Sequence, residues 1–332
     1  MSGVAPWIAR NRASLLAQRG HALLLAGPSG LGHYDLALEL ARAWLCEQPG
    51  PDGACGQCGS CHAIDVRTHA DLCVLMPETA MLERGWPLPE KAQSDIDDKK
   101  RKPSQEIRVD AVRDVVEFGQ RTDARGQGKV VLVFPAEKMN GIAANALLKT
   151  LEEPPGSTRF VLATEAADQL LPTIRSRCQL CVLAWPTLTE SRDWLQQIGA
   201  DPVAAELLLR VCGQRPQDAQ AFLPDPKAAV EWREFPRAMQ RGDVTLVAQW
   251  PARQLLDGII KLCHDLQAVN VGAAPRFFSA QELPQCKAGM GVLSRWGKAL
   301  LAAGRHIDHP YQQALLHDSL VADAQVAINS PV

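Results

Sequence analysis

The stretch that most constrains this chain is Gly27-Pro28-Ser29-Gly30-Leu31-Gly32-His33-Tyr34, set between an apolar run and an amphipathic one. Before it, His21-Ala22-Leu23-Leu24-Leu25-Ala26 reads as a buried strand. After it, Leu36, Leu40, Ala43 and Trp44 recur at helical spacing between Tyr34 and Cys46. Strand, glycine loop and helix in that order make the phosphate-loop arrangement, in which Gly27 and Gly32, with Gly30 between them, let backbone N–H groups turn toward phosphate oxygens at a helix N-terminus. The pattern then requires Lys, to neutralise phosphate charge, and Ser or Thr, to bind Mg²⁺. His33 and Tyr34 stand there instead. An imidazole of ordinary pKa is mostly neutral at neutral pH and shorter than lysine, and a phenol does not fit beside the metal. One charge-assisted contact contributes about 1.5–3 kcal/mol, so losing both groups weakens Mg-nucleotide binding by orders of magnitude. The expectation is a nucleotide-binding fold kept after its chemistry was given up, in a chain that does not bind ATP.

With 332 residues, 46% of them hydrophobic and 22% charged, the chain can bury two or three cores. A net charge of -2 gives no global electrostatic case for nucleic acid. No run approaches the ~18 apolar residues of a membrane helix. Residues 1–20 carry Arg10, Arg12 and Arg19 and no apolar segment, which is not the pattern of a signal peptide. We therefore expect a cytoplasmic chain with no membrane partner, whose ten cysteines are thiols or metal ligands rather than disulfides.

Four of those cysteines are clustered. Cys46, Cys55, Cys58 and Cys61 form C-x8-C-x2-C-x2-C, with Pro49-Gly50-Pro51-Asp52-Gly53 looping between the first two. Adjacent C-x2-C turns let three thiolates converge while the fourth arrives from the end of the preceding helix, and four sulfurs suit a tetrahedral, structural Zn²⁺. The alternative is a set of free thiols in a glycine-rich loop; an iron–sulfur cluster lacks its longer cysteine run. His62 and His69 are read as surface residues.

Asp71 to Pro77 reads as a second strand. Glu83 to Ser104 is charged and non-periodic and reads as a mobile surface insertion. Its run Lys99-Lys100-Arg101-Lys102 fits either a DNA contact or a solvated face, and the interleaved acids favour the second. Val112, Val115 and Val116 predict a helix, and Lys129 to Phe134 a strand of the continuous apolar kind found in parallel sheets. A working ATPase carries carboxylates at the end of that strand, for metal and attacking water. Phe134-Pro135 stands there, with Glu137 the nearest acid, so a second catalytic element is missing.

Asn145-Ala146-Leu147-Leu148-Lys149-Thr150-Leu151-Glu152-Glu153-Pro154-Pro155, then Phe160 to Thr164, then Ile174-Arg175-Ser176-Arg177-Cys178, resemble the clamp-loader branch of the AAA+ family. The resemblance is dense from Pro6 to Cys178 and thins afterward. It implies a RecA-like α/β domain with a parallel sheet over residues 1–184, the cysteine module inserted at 46–61, a helical lid over 185–226 and an all-α collar domain over 227–332. It implies that Ser176, Arg177 and Cys178 form a motif whose arginine enters the ATP site of a neighbouring motor subunit, with Arg175 a weaker candidate. Thr164 matches a residue that senses γ-phosphate in active relatives. The implied role is a non-hydrolysing stator in the loader of a sliding clamp on primed DNA, beside the gamma/tau motor subunits and the delta subunit.

The residues alone would also make Arg177 a surface salt bridge. Cys178 and Cys181 read as buried thiols beside the strand Leu180 to Ala184. After Trp185-Pro186, Thr187 to Glu190 has the form of a capping box, and later Leu255, Ile259, Ile260, Cys263 and Leu266 share one helical face. His264 and His309 are isolated, and no catalytic constellation accompanies them. Two other readings compete with the stator: an ATPase in which His33 and Glu137 substitute for the missing groups, and a zinc-dependent DNA-binding module.

Overall fold

Five short apolar runs become β1 (Ala22–Ala26), β2 (Leu72–Leu75), β3 (Lys129–Val133), β4 (Thr158–Thr164) and β5 (Gln179–Val182). They pair in parallel in the order β2-β3-β4-β1-β5. Every residue of β1 and β3 is buried, as expected of central parallel strands covered on both faces. The register aligns Leu24 with Leu162 on one side and with Leu180 on the other. Consecutive strands β1 and β2 lie far apart in the sheet, so the chain crosses over it and returns through β3 and β4 to the neighbour of β1.

This is a computed structural model, and it describes residues 4–18, 20–307, 309 and 312–331; Arg19 lies outside them. The chain divides once, into Met1–Pro186 and Thr187–Val332. Around the sheet of the first unit run α1 (Pro6–Leu16), α2 (His33–Leu45), α3 (Gly59–Asp65), α4 (Glu78–Glu83), α5 (Glu90–Asp97), α6 (Val109–Gln120), α7 (Gly141–Glu152) and α8 (Pro172–Arg175). Asn140 caps α7 by accepting from the Ala143 N–H at 2.9 Å, and the first eight residues of the NALLKTLEEPP string, Asn145 to Glu152, lie in this helix and bury Leu147 and Leu151 against the sheet.

Residues 83–104 differ from the mobile insertion read in the sequence. They contain α5 and bury Trp86 and Leu88. Their far end is tied back, because the Glu78 carboxylate accepts both Arg101 guanidinium nitrogens and the Ser104 N–H. These contacts hold Glu78 below the usual carboxylate range, the Arg101 hydrogen bond most of all. The basic run is thus partly spent on internal ion pairs, Arg101 with Glu78 and Lys100 with Asp98.

The second unit is helical throughout its described elements: α9 (Leu188–Gln197), α10 (Pro202–Val211), α11 (Pro216–Gln220), α12 (Ala228–Arg241), α13 (Ala252–Asn270), α14 (Met290–Gly304) and α15 (Gln313–Asn329). Thr187 caps α9, its hydroxyl accepting the Glu190 N–H at 3.1 Å. Residues on either side of 226 belong to the same unit, with α10 packed on α12. Its core joins Trp232, Phe235, Trp250 and Phe278. Gly258 makes that core possible, because a Cβ there would stand 2.9 Å from Phe235 Cζ. On α13, Leu255, Ile259, Cys263 and Leu266 are buried and Ile260 is half-buried. The His264 side chain is half-exposed against Asp265. Among the described residues, no helix is long and apolar enough to cross a membrane.

Candidate functional site

β1 delivers the glycine loop to the edge of the sheet where β3 and β4 also end. Gly30 and Gly32 take φ values of 77° and 89°, backbone that side chains rarely adopt. Gly32 stands at the N-cap of α2, which has no side-chain cap. Trp7 of α1 straps the loop, its indole N–H donating to Leu31 O at 2.8 Å. Loop and helix N-terminus therefore have the phosphate-binding form. The first residue of α2 is His33, only 1% exposed. Its Nε2 lies 3.1 Å from where a Cβ on Gly27 would stand, and neither ring nitrogen has a hydrogen-bond partner among the described residues. Burial lowers its pKa from 6.5 to about 4, so at neutral pH the ring is uncharged.

Tyr34, the next residue, is packed as well. The half-buried Tyr34 hydroxyl accepts the Trp86 indole N–H at 2.7 Å, and the Tyr34 ring lies 5.7 Å from that of Phe134 at the end of β3. The Arg84 guanidinium sits 5.1 Å from the Tyr34 ring and 5.2 Å from the Phe134 ring, and Arg67 sits 5.7 Å from Trp86. Burial raises the Tyr34 pKa, with the Trp86 hydrogen bond and Arg84 opposing it. The phenol therefore stays neutral, unsuited to bind Mg²⁺. Glu137 is engaged as well: Thr164 Oγ1 donates to its Oε2 at 2.7 Å. Trp86 and Arg84 were missed in the sequence. The available signal was Trp86-Pro87-Leu88, two apolar side chains inside an otherwise charged stretch.

Cys46, Cys55, Cys58 and Cys61 converge, their sulfurs all within 4.8 Å of one another. Cys46 ends α2, and Cys58 and Cys61 bracket the start of α3. A tetrahedral ion with bonds of about 2.3 Å to sulfur needs S–S separations of roughly 3.8 Å. The pairs Cys46–Cys58, Cys46–Cys61 and Cys55–Cys61 stand at 3.8, 3.8 and 4.0 Å. Backbone N–H groups of Cys55, Cys58 and Cys61 point at the sulfurs of Cys46, Cys55 and Cys58, an arrangement that stabilises thiolates. Burial raises Cys61 to about 12. Cys58 is lowered to about 6, against burial, chiefly by the Cys61 N–H. This cluster can hold a metal ion.

His62 is exposed. His69, expected at the surface, is buried: its Nδ1 accepts the Asp71 N–H at 3.0 Å and its Nε2 lies 3.1 Å from Ser60 Oγ. Nε2 thus meets α3 and Nδ1 the backbone just before β2, and neither nitrogen is left for a metal.

Arg177 follows α8 and is held within its own chain. Its Nε donates to Glu152 Oε1 at 2.6 Å, and another guanidinium nitrogen donates to Thr173 O at 2.9 Å. The two charged side chains are 29% and 48% exposed, and such surface pairs contribute about 0–1 kcal/mol. Ser176 Oγ donates to Thr173 O at 3.2 Å. Cys178 is buried and raised to about 12 by that burial. Cys181, also expected buried, is half-exposed, because β5 is an edge strand with little covering it.

The sheet order β2-β3-β4-β1-β5, with a glycine loop at the end of β1, is the order of the AAA+ fold. A solved structure with the same fold is a DNA polymerase III gamma subunit-related protein from Thermotoga maritima, with a TM-score of 0.50 at 18% identity, covering 97% of this chain and 100% of that one. The family described as DNA polymerase III, delta subunit, matches residues 12–186. The chain is 38% identical over 287 residues to DNA polymerase III subunit delta' of Escherichia coli, covering 80% of this chain and 79% of that protein. It is 42% identical over 226 residues to subunit delta' of Pseudomonas aeruginosa, covering 66% of this chain and 61% of that relative's length. The chain belongs to the delta' family of bacterial DNA polymerase III subunits.

Proposed function

We propose that this chain is the non-hydrolysing stator of a clamp loader: it binds no ATP and supports ATP-driven placement of a sliding clamp on primed DNA. The observation that supports this reading is what stands where the chemistry needs a cation and a metal ligand: a buried, neutral His33 against Gly27, and a Tyr34 packed on Phe134 and hydrogen-bonded to Trp86. The rival ATPase reading needs His33 as a cation and Glu137 as a base. His33 is neutral, and Glu137 accepts from Thr164.

Arg177 is the group this chain gives to its neighbours, the gamma/tau motor subunits, with the delta subunit completing the assembly. Leaving Glu152 costs about 1 kcal/mol or less. A guanidinium delivered to charge building on a γ-phosphate is worth about 10³–10⁵ in rate. The present ion pair is therefore a low-cost resting position for an arginine finger. The cysteine cluster takes structural Zn²⁺, four thiolates closing the coordination shell and leaving no open position for catalysis. Residues 185–226 serve as lid and 227–332 as collar.

The test is a reconstituted loader in which this chain carries Arg177→Ala. DNA-stimulated ATP hydrolysis should fall by two or more of those orders of magnitude at the site that receives the finger, with assembly by gel filtration unchanged. Unchanged hydrolysis in an intact assembly would remove the finger from the account.

A further inference from the structure

A second set of polar groups converges beside the four cysteines. Glu47, next after Cys46, accepts from the N–H and the hydroxyl of Ser60 at 3.2 and 3.1 Å, and Ser60 is buried between Cys58 and Cys61. His69 accepts the Asp71 N–H at Nδ1, so its proton stands on Nε2, which donates to Ser60 Oγ. The buried Asp71 carboxylate in turn accepts the N–H groups of Ala124 and Arg125, at 2.8 and 3.2 Å. The Arg125 guanidinium then returns to Glu47 Oε1 at 2.5 Å. Arg125 is thus held by its backbone at one end of the chain Asp71–His69–Ser60–Glu47 and by its side chain at the other. Gly59 leaves room for this, since a Cβ there would stand 2.9 Å from an Arg125 guanidinium nitrogen. Residues 121–128, between α6 and β3, are all exposed and lie outside any helix or strand. Two further ties, the Gly128 N–H to Asp123 and the Lys129 ammonium to Arg121 O, do not touch the cysteine module.

We propose that the cysteine module is a metal-dependent lock on the 121–128 loop: with an ion on the four sulfurs, Glu47 and Ser60 are fixed where they grip Arg125, and without it this loop opens while the sheet stays folded. The lock rests on the metal reading of the cluster and goes beyond it, because an ion that only added stability would act on sheet and loop alike. Coupling between two sites is reciprocal. Breaking the circuit at Arg125, which is no ligand, therefore also loosens the ion.

The experiment is amide hydrogen exchange on the full chain, zinc-loaded and stripped by chelation, with zinc counted by atomic absorption. Below the melting temperature, stripping should cut the protection of the Ala124 and Arg125 amides about tenfold or more, while Val131 to Val133 of β3 stay protected. Arg125→Ala should weaken zinc binding in chelator competition by about two- to fivefold. Arg121→Ala, in the same loop but paired with Glu117, should leave zinc binding unchanged. A chain with one bound zinc whose Ala124 and Arg125 amides exchange alike in both states would overturn the lock alone. So would β3 and the loop losing protection together, or zinc held equally well by Arg125→Ala. A chain that takes up no zinc would overturn the metal reading and the lock with it.

Discussion

Trp86 donates its indole N–H to the Tyr34 hydroxyl at 2.7 Å, joining the inserted segment to the first turn of α2 across 52 residues of sequence. The tyrosine stands where a metal-binding hydroxyl belongs, and the tryptophan comes from a stretch whose charge pattern suggests solvent. Arg84 packs over Tyr34 and Phe134 from the same segment.

Trp86→Phe removes the donor while keeping most of the ring, and should lower stability by about 1 kcal/mol. Trp86→Ala empties a well-buried site and should cost about 3–5 kcal/mol. Urea unfolding of the full chain measures both. A Trp86→Ala chain within ~0.5 kcal/mol of the natural one would mean that the segment is not packed.

His33 sets a pH dependence. Its folded pKa lies near 4 and its ordinary value is 6.5. Below pH 6.5 the unfolded chain takes up a proton that the folded chain refuses, so this contribution is full above that pH and is lost as pH falls toward 4. At 1.36 kcal/mol per unit, the loss reaches about 3 kcal/mol over the window. In His33→Gln this share of the acid sensitivity should vanish, seen as a flatter dependence of the unfolding free energy on pH. A profile identical to that of the natural chain would contradict the buried, neutral ring.

Metal removal should act on the first unit. Thiolate coordination contributes folding free energy directly, and α3 is held between cluster sulfurs and the Ser60–His69 contact. Chelation, or Cys61→Ala, should lower the melting temperature of the sheet-bearing unit and release one zinc per chain by atomic absorption. Unchanged melting after complete chelation would show that the cluster is a set of free thiols.

Arg177 should matter little to the isolated chain. Its partner Glu152 is half-exposed, so Arg177→Ala should change the unfolding free energy by less than about 1 kcal/mol. A larger loss would mark a structural role that competes with donation to a neighbour.

The legible parts of the sequence were those governed by local rules. The apolar runs gave the strands, the Thr187 cap gave the start of α9, and C-x2-C-x2-C gave the cluster. The glycine loop was visible because its pattern is contiguous, and its missing lysine was visible for the same reason. Trp86 was not, because its partner is 52 residues distant and no period links them. His69 was misjudged because its burial depends on Ser60 and Asp71 meeting it from different elements. Cys181 was misjudged because an edge strand has a free side that its own residues do not announce. The ion pair of Arg177 with Glu152 likewise joins two motifs that sequence reading treats apart.

The most direct measurement is an equilibrium titration of the purified chain with a fluorescent ATP analogue and Mg²⁺, beside a His33→Lys, Tyr34→Thr double variant. The account predicts no saturable binding by the natural chain at any concentration where the gamma/tau motor subunits saturate. Magnesium-dependent saturation of the natural chain in that range would contradict it, because a buried, neutral His33 and a packed Tyr34 supply neither the cation nor the metal ligand that such binding uses.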